Sequence, residues 1–237
     1  EGMQQKYAEA YAQNTDLVGW LKIDKLKMDF PILQTDNDSY YLKRSFTTDT
    51  RISETPFLAH ANSIEPLDRN SIIYGHSTRS SDKIFSKLFD YRTTRGFINN
   101  PIIEFNTIYH DYKWKVYAVF ITNATTAEDN GYFFNLLDEY SEASFEQYIA
   151  ELDSRKLYTT GVDIKPTDKI LTLSTCLYEF DNARLVVVAR MVRDGESEEV
   201  DTSLVKTNPN PRYPQAWYDK DKKQNPYKNA NDGIPTN

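Results

Sequence analysis

At 237 residues, 39% of them apolar, the chain is long enough to bury its own core and suits one domain better than two. Its 17 Tyr and 12 Phe favour strands, and a formal charge of −7 excludes the clustered basic surface that a nucleic-acid partner needs. No apolar run approaches the roughly 18–20 residues that span a bilayer, and the polar start Glu1-Gly2-Met3-Gln4-Gln5 carries no signal-peptide pattern, which fits a soluble cytosolic protein or one whose targeting segment has been removed.

Tyr7 to Asn14 reads as the end of a helix, broken at Asn14-Thr15-Asp16. Leu17 to Ile23 alternates as a strand, and Asp29 to Leu33 follows as a short strand whose Pro31 suits a start or an edge. Asp36-Asn37-Asp38 resembles the opening of a calcium loop but lacks the following Gly and distal Glu, so it is read as a turn before Tyr40-Tyr41-Leu42. Further strands are expected at Phe57-Leu58-Ala59, Ser71 to Tyr74, Ile102 to Phe105 and Tyr112 to Ile121. Ser144 to Leu152 carries Phe145, Tyr148, Ile149 and Leu152 at helical spacing. Strands return at Lys169 to Thr175 and Arg184 to Val192. Many short strands with two or three helices predict a mainly β barrel rather than a βαβ fold. From about Asn208 an Asn/Pro-rich tail without periodicity begins, expected to wrap the surface through Trp217 and Tyr218 or to stay partly disordered.

A single cysteine rules out a disulfide within the chain, and with three scattered histidines it offers no metal-ligand spacing. A lone cysteine is commonly a small buried hydrophobe. Cys176, however, ends the strand-like run Ile170-Leu171-Thr172-Leu173-Ser174-Thr175, where a side chain can be both positioned and exposed. If the flanking strands form a hairpin, Arg184 lies at the same end and can hold a thiolate or an oxyanion. Cysteine catalysis also needs a base, because a thiol of reference pKa about 8.5 is only partly ionised at neutral pH. His76 follows the strand Ser71 to Tyr74 and Gly75, with Gly75 allowing a sharp exit; His60 also follows a strand-like run, and His110 lies in a polar turn, so three candidates stand with His76 foremost.

Thr172-Leu173-Ser174-Thr175-Cys176 resembles the TLxTC signature of the sortase family. Arg184 in Ala183-Arg184-Leu185-Val186-Val187 is similar to the arginine of the next strand, and Tyr74-Gly75-His76 to the segment bearing the catalytic histidine. Asp16 to Ile23, Pro31 to Gln34, Asp38-Ser39-Tyr40-Tyr41-Leu42 and the helix at Ser144 to Leu152 look like class B members, over roughly residues 15–195; Phe57-Leu58-Ala59-His60 departs from an acidic or aromatic pair found in many relatives.

The resemblance implies a closed barrel of about eight strands with an N-terminal helix and a class B helical insertion. It implies an N-terminal helical segment at 1–14, following a removed membrane anchor, a catalytic barrel at 15–195 and a C-terminal extension at 196–237. It also implies a cysteine transpeptidase at the outer face of a Gram-positive membrane, with no cofactor and no metal. Cys176 would form a thioester with a sorting signal similar to Asn-Pro-x-Thr-Asn/Ser in surface proteins, His76 would act as acid then base, and Arg184 would hold the substrate backbone or the oxyanion. The acceptor would be an amine of a peptidoglycan precursor or of a pilin, and Ser174 and Thr175 would line the substrate groove. Asn225-Pro226-Tyr227-Lys228-Asn229 has a faint likeness to the signal, although an Asn/Pro-rich coil matches so short a pattern easily. Two other readings are a hydrolase of the same signals, told apart by adding an amine acceptor, and a non-catalytic pilus-assembly or binding module, which predicts an unreactive, buried Cys176.

Overall fold

Residues 2–48, 55–79, 83–125 and 141–227 are described by the computed structural model of the chain. A short helix, α1 (Ala8–Gln13), leads into β1 (Leu17–Ile23), in which alternate residues are buried as a strand facing a core on one side requires. β2 (Met28–Leu33) returns antiparallel with Pro31 opposite Trp20. The proline is tolerated because β2 meets its other neighbour, β3 (Phe57–Leu58), beyond it, at Leu33 and Phe57. Then follow β4 (Asn70–Gly75), α2 (Thr94–Asn99), β5 (Ile102–Thr107), β6 (Lys113–Asn123), α3 (Glu142–Arg155), β7 (Tyr158–Thr159), β8 (Ile170–Cys176), β9 (Ala183–Met191), β10 (Lys206–Thr207) and α4 (Gln215–Lys220).

Eight of the strands close into a barrel in the order β1-β2-β3-β4-β8-β9-β6-β5, with β5 paired back onto β1. The mainly β barrel expected from the sequence is the fold observed. β7 and β10 form a separate two-stranded ribbon.

The apolar runs of β6, β8 and β9 are long because both faces are covered. Leu171, Leu173, Leu185, Val187, Val119 and Ile121 belong to the barrel core. Ile170, Val186, Val188, Ala118 and Phe120 instead pack outward with Phe145, Tyr148 and Leu152 of α3. That helix begins where the Ser141 hydroxyl accepts the Ser144 amide hydrogen at 3.1 Å. α3 therefore covers the outer face of β6, β8 and β9 from Ile170 to Val186, and Cys176 stands at the end of β8 away from Ile170.

The end of the barrel opposite Cys176 is held by charge. The Arg190 side chain, 1% exposed, bonds to Glu196 at 2.5 and 2.7 Å and to Asp163 at 2.9 Å, and Lys115 reaches Glu196 at 2.9 Å. Arg190, then the Arg193 backbone and Lys115, hold the Glu196 carboxyl well below its ordinary value of 4.5, against the opposing effect of burial. A depressed carboxyl stabilises the fold fully above its unfolded value and ceases to as pH falls through the folded one. Glu196→Gln is thus expected to cost about 2–3 kcal/mol at pH 7, read as a Tm lowered by about 4–10 °C. The gap should narrow from pH 5 downward; an unchanged gap between pH 7 and pH 3 would contradict the assignment.

The C-terminal segment wraps the surface as anticipated for Trp217, whose ring stacks on Tyr213 at 4.2 Å and packs against the core. Arg212 bonds to Glu151 of α3 at 2.8 Å, and the same carboxylate oxygen holds Arg155 at 2.9 Å. The Asn225 amide donates to Gln215 at 3.0 Å and the Tyr227 hydroxyl to the Asn210 carbonyl at 2.8 Å, so Asn225-Pro226-Tyr227 folds back on the tail itself. Lys228, Asn229, Ile234 and Pro235 lie outside the described residues.

Candidate active site

Strand register determines which side chains meet. β8 and β9 are antiparallel with Cys176 directly opposite Arg184, so the two share one face of the sheet. β4 runs parallel to β8 with Gly75 beside Thr175 and Tyr74 beside Ser174, so His76 leaves β4 next to the end of β8. The turn between β8 and β9 passes through Asn182 at φ 59°, a left-handed conformation that asparagine adopts more readily than most residues.

These strand ends line an open cleft of about 310 Å³, together with Asp38, Leu42, Phe57 and Ala124; from the strand ends come Tyr74, Gly75, His76, Ser174, Thr175, Cys176 and Arg184. Cys176, His76 and Arg184 are each half-buried, as groups must be that are held in place yet reachable. Ser174 and Thr175 both line the cleft, but the Thr175 hydroxyl donates to the Gly75 carbonyl at 2.8 Å.

Gly75 has a different reason from the sharp exit expected of it. Its backbone is not in the left-handed region; instead a Cβ there would lie 2.3 Å from the Phe85 ring, which is fully buried against it. The other two histidines are engaged with carboxylates and do not line the cleft. His60 Nδ1 lies 3.0 Å from Asp38 while its amide donates to the same carboxylate at 2.7 Å, and His110 Nε2 lies 3.3 Å from Glu65. Of the three, His76 is the histidine lining the cleft.

Asp38, Leu42, Phe57 and Tyr74 had no part in the sequence-based site. Tyr74 was next to Gly75-His76 and its strand parity placed it on the Cys176 face, a signal that was available. Burial, then the Asp38 charge, push its hydroxyl up to about 12, with Arg184 pulling in the opposite sense. The Asp38 carboxylate and the Arg184 guanidinium thus act on the Tyr74 hydroxyl in opposite senses. No group of three or more His, Cys, Asp or Glu side chains suited to a metal occurs among the described residues.

A thiol, an imidazole and a guanidinium in one cleft can perform acyl transfer: a nucleophile, a proton carrier and a cation for the oxygen that becomes negative. Comparison with known proteins agrees. The sortase domain model matches residues 21–192. Sortase B of Listeria monocytogenes is 30% identical over 182 residues, 76% of this chain and 71% of that protein. The Staphylococcus aureus sortase B–substrate complex superposes with a TM-score of 0.72 at 26% identity, covering 81% of this chain and 87% of that one. A sortase B crystallised with triglycine gives 0.71 at 26% identity, covering 79% and 86%.

Proposed function

This chain belongs to the sortase family, in class B, and from that premise we propose that Cys176, His76 and Arg184 are the residues with which it carries out its cysteine transpeptidation. The observation that supports this most is the register, which brings one residue from each of three strand ends into a single cleft.

In the proposed first step Cys176 passes its proton to His76 and its Sγ attacks a backbone carbonyl carbon of the sorting signal. The C–S bond forms, and the carbonyl electron pair moves to oxygen, where Arg184 stabilises it. Collapse of this intermediate breaks the C–N bond; the leaving amine takes a proton from His76 and a thioester remains. An incoming amine then attacks the thioester and loses its proton to His76; the C–S bond breaks and His76 returns that proton to the departing Cys176 sulfur.

We take the signal to be of the Asn-Pro-x-Thr-Asn/Ser type and the acceptor to be an amine of a peptidoglycan precursor or a pilin. The sortase B solved with triglycine supports an amine in the second step. The family is associated with the Gram-positive cell surface, which supports action at the outer face of the membrane, with residues 1–14 joining an anchor to the catalytic unit at 15–195 and residues 196–237 as its extension. Among the described residues no helix is long and apolar enough to cross a membrane.

The reading is tested by incubating an Asn-Pro-x-Thr-Asn peptide with the protein, with and without triglycine, and weighing the products. A ligated product that grows with triglycine at the expense of the hydrolysed one is expected. Hydrolysis indifferent to triglycine would make the protein a hydrolase towards that acceptor.

Arg184→Lys keeps the charge and loses the planar fork of donors. It should lower kcat by about 10²–10³ with KM changed less than about 3-fold, since the contact is made to charge that develops in the transition state. A variant that keeps wild-type kcat in steady-state assays would remove Arg184 from this role.

A further inference from the structure

The ladder between β4 and β8 ends at Gly75 and Thr175, so His76 lies beyond the last backbone pairing that ties it to the nucleophile strand. Two loop segments leaving a sheet at this point ordinarily diverge. Here they are joined by side chains in both directions. The Ser77 hydroxyl donates to the Cys176 carbonyl at 2.6 Å, and the Tyr178 hydroxyl donates to the Ser77 carbonyl. Thr175 supports the approach from below through its bond to the Gly75 carbonyl. Arg79 closes the arrangement from above, donating to the Tyr178 carbonyl at 3.2 Å with its guanidinium 4.9 Å from the Tyr178 ring centroid.

The far side of the histidine segment is fastened as well. The Phe85 amide donates to the His76 carbonyl at 3.1 Å, and the Thr78 amide donates to the Ser86 hydroxyl at 2.8 Å. His76 is therefore carried on a backbone gripped on both sides, with Ser77, fully buried, as the residue facing the nucleophile strand.

We propose that Ser77, together with Tyr178, is a positioning residue: their reciprocal hydroxyl-to-carbonyl bonds lock the two strand exits and fix the placement of His76 relative to Cys176. The inference rests on the reading that Cys176 and His76 act on the substrate. A hydrogen bond adds little net stability to the whole fold, whereas a displacement of about 1 Å between reacting groups can cost about 10²-fold in rate. The latch should therefore register in turnover rather than in Tm.

The test measures kcat, KM and Tm for the wild type, Ser77→Ala, Tyr178→Phe and the double variant, with Cys176→Ala and His76→Ala alongside. Each single latch variant is expected to lower kcat about 10- to 100-fold, with KM within about 2-fold and Tm within a few degrees. The double variant should lose little more than the worse single one, because half a latch holds nothing. Tyr178→Phe removes one half-buried hydroxyl and keeps the test open should Ser77→Ala fold poorly. Unchanged kcat in the folded single variants, a loss tracking Tm or KM, or a multiplicative loss in the double variant overturns the proposal while leaving the catalytic pair intact. Wild-type turnover by Cys176→Ala or His76→Ala would instead overturn the reading beneath it.

Discussion

Cys176→Ala is expected to abolish both peptide cleavage and amine ligation, a fall on the order of 10⁵–10⁶ in kcat/KM, with the fold retained. The size follows from the route. Without Sγ there is no thioester, and the residual rate is that of water attacking a peptide held beside Arg184 and His76; losses of this order accompany removal of a nucleophile that works as one unit with its partners. The fold should persist because Cys176 is half-buried at the last residue of β8, where its pairing with Arg184 runs through the backbone. Removing one sulfur there creates no closed cavity of the kind that costs several kcal/mol. Intact-mass spectrometry of the wild type during turnover should reveal an adduct equal to the N-terminal part of the peptide, absent from the variant. Cleavage above about 1% of the wild-type rate by pure Cys176→Ala would point to another nucleophile.

Much of this site was legible in the sequence because strand ends are. The run Ile170 to Thr175 and the run Arg184 to Val192 predicted two strands, and a hairpin between them would put Cys176 and Arg184 at one end; the structure supplies the register, with the two directly opposite. Standing beyond a strand set His76 and His60 apart from His110, and the likeness of Tyr74-Gly75-His76 to the catalytic segment of the family put His76 foremost. What strand logic does not contain is contact at long sequence separation between residues of ordinary type. Ser77 and Cys176 are 99 positions apart, and nothing in His-Ser-Thr-Arg marks the serine as a latch. The Asp36-Asn37-Asp38 turn showed a metal-like pattern, yet its use is to bring Asp38 to the cleft rim beside His60. The burial of Arg190 depends on Asp163 and Glu196, supplied by loops with no periodic signal. The tail looked like a coil because its order comes from docking on α3 through Arg212 rather than from any propensity of its own.

His76→Ala should lower kcat for peptide transpeptidation by about 10³–10⁴, or about 4–5.5 kcal/mol of barrier. The reason lies in the leaving group. An amide nitrogen cannot depart as a free anion, so breaking the C–N bond requires a proton delivered in the same step, and His76 is the imidazole in the cleft. That requirement vanishes for a substrate whose leaving group departs unprotonated. An activated ester of the same peptide, with nitrophenolate as leaving group, should acylate the variant with a loss of no more than about 10-fold. The second step offers a further separation. Aminolysis of the thioester must still shed a proton, so the variant should accumulate acyl-enzyme from the ester, as a burst of nitrophenolate followed by slow turnover. An equal loss for amide and ester would mean that His76 acts before the C–N bond breaks, by taking the Cys176 proton or by holding Cys176 or the substrate in place, and not as the acid of acylation. A burst on the ester with a dead amide reaction would assign the proton to His76 in both steps.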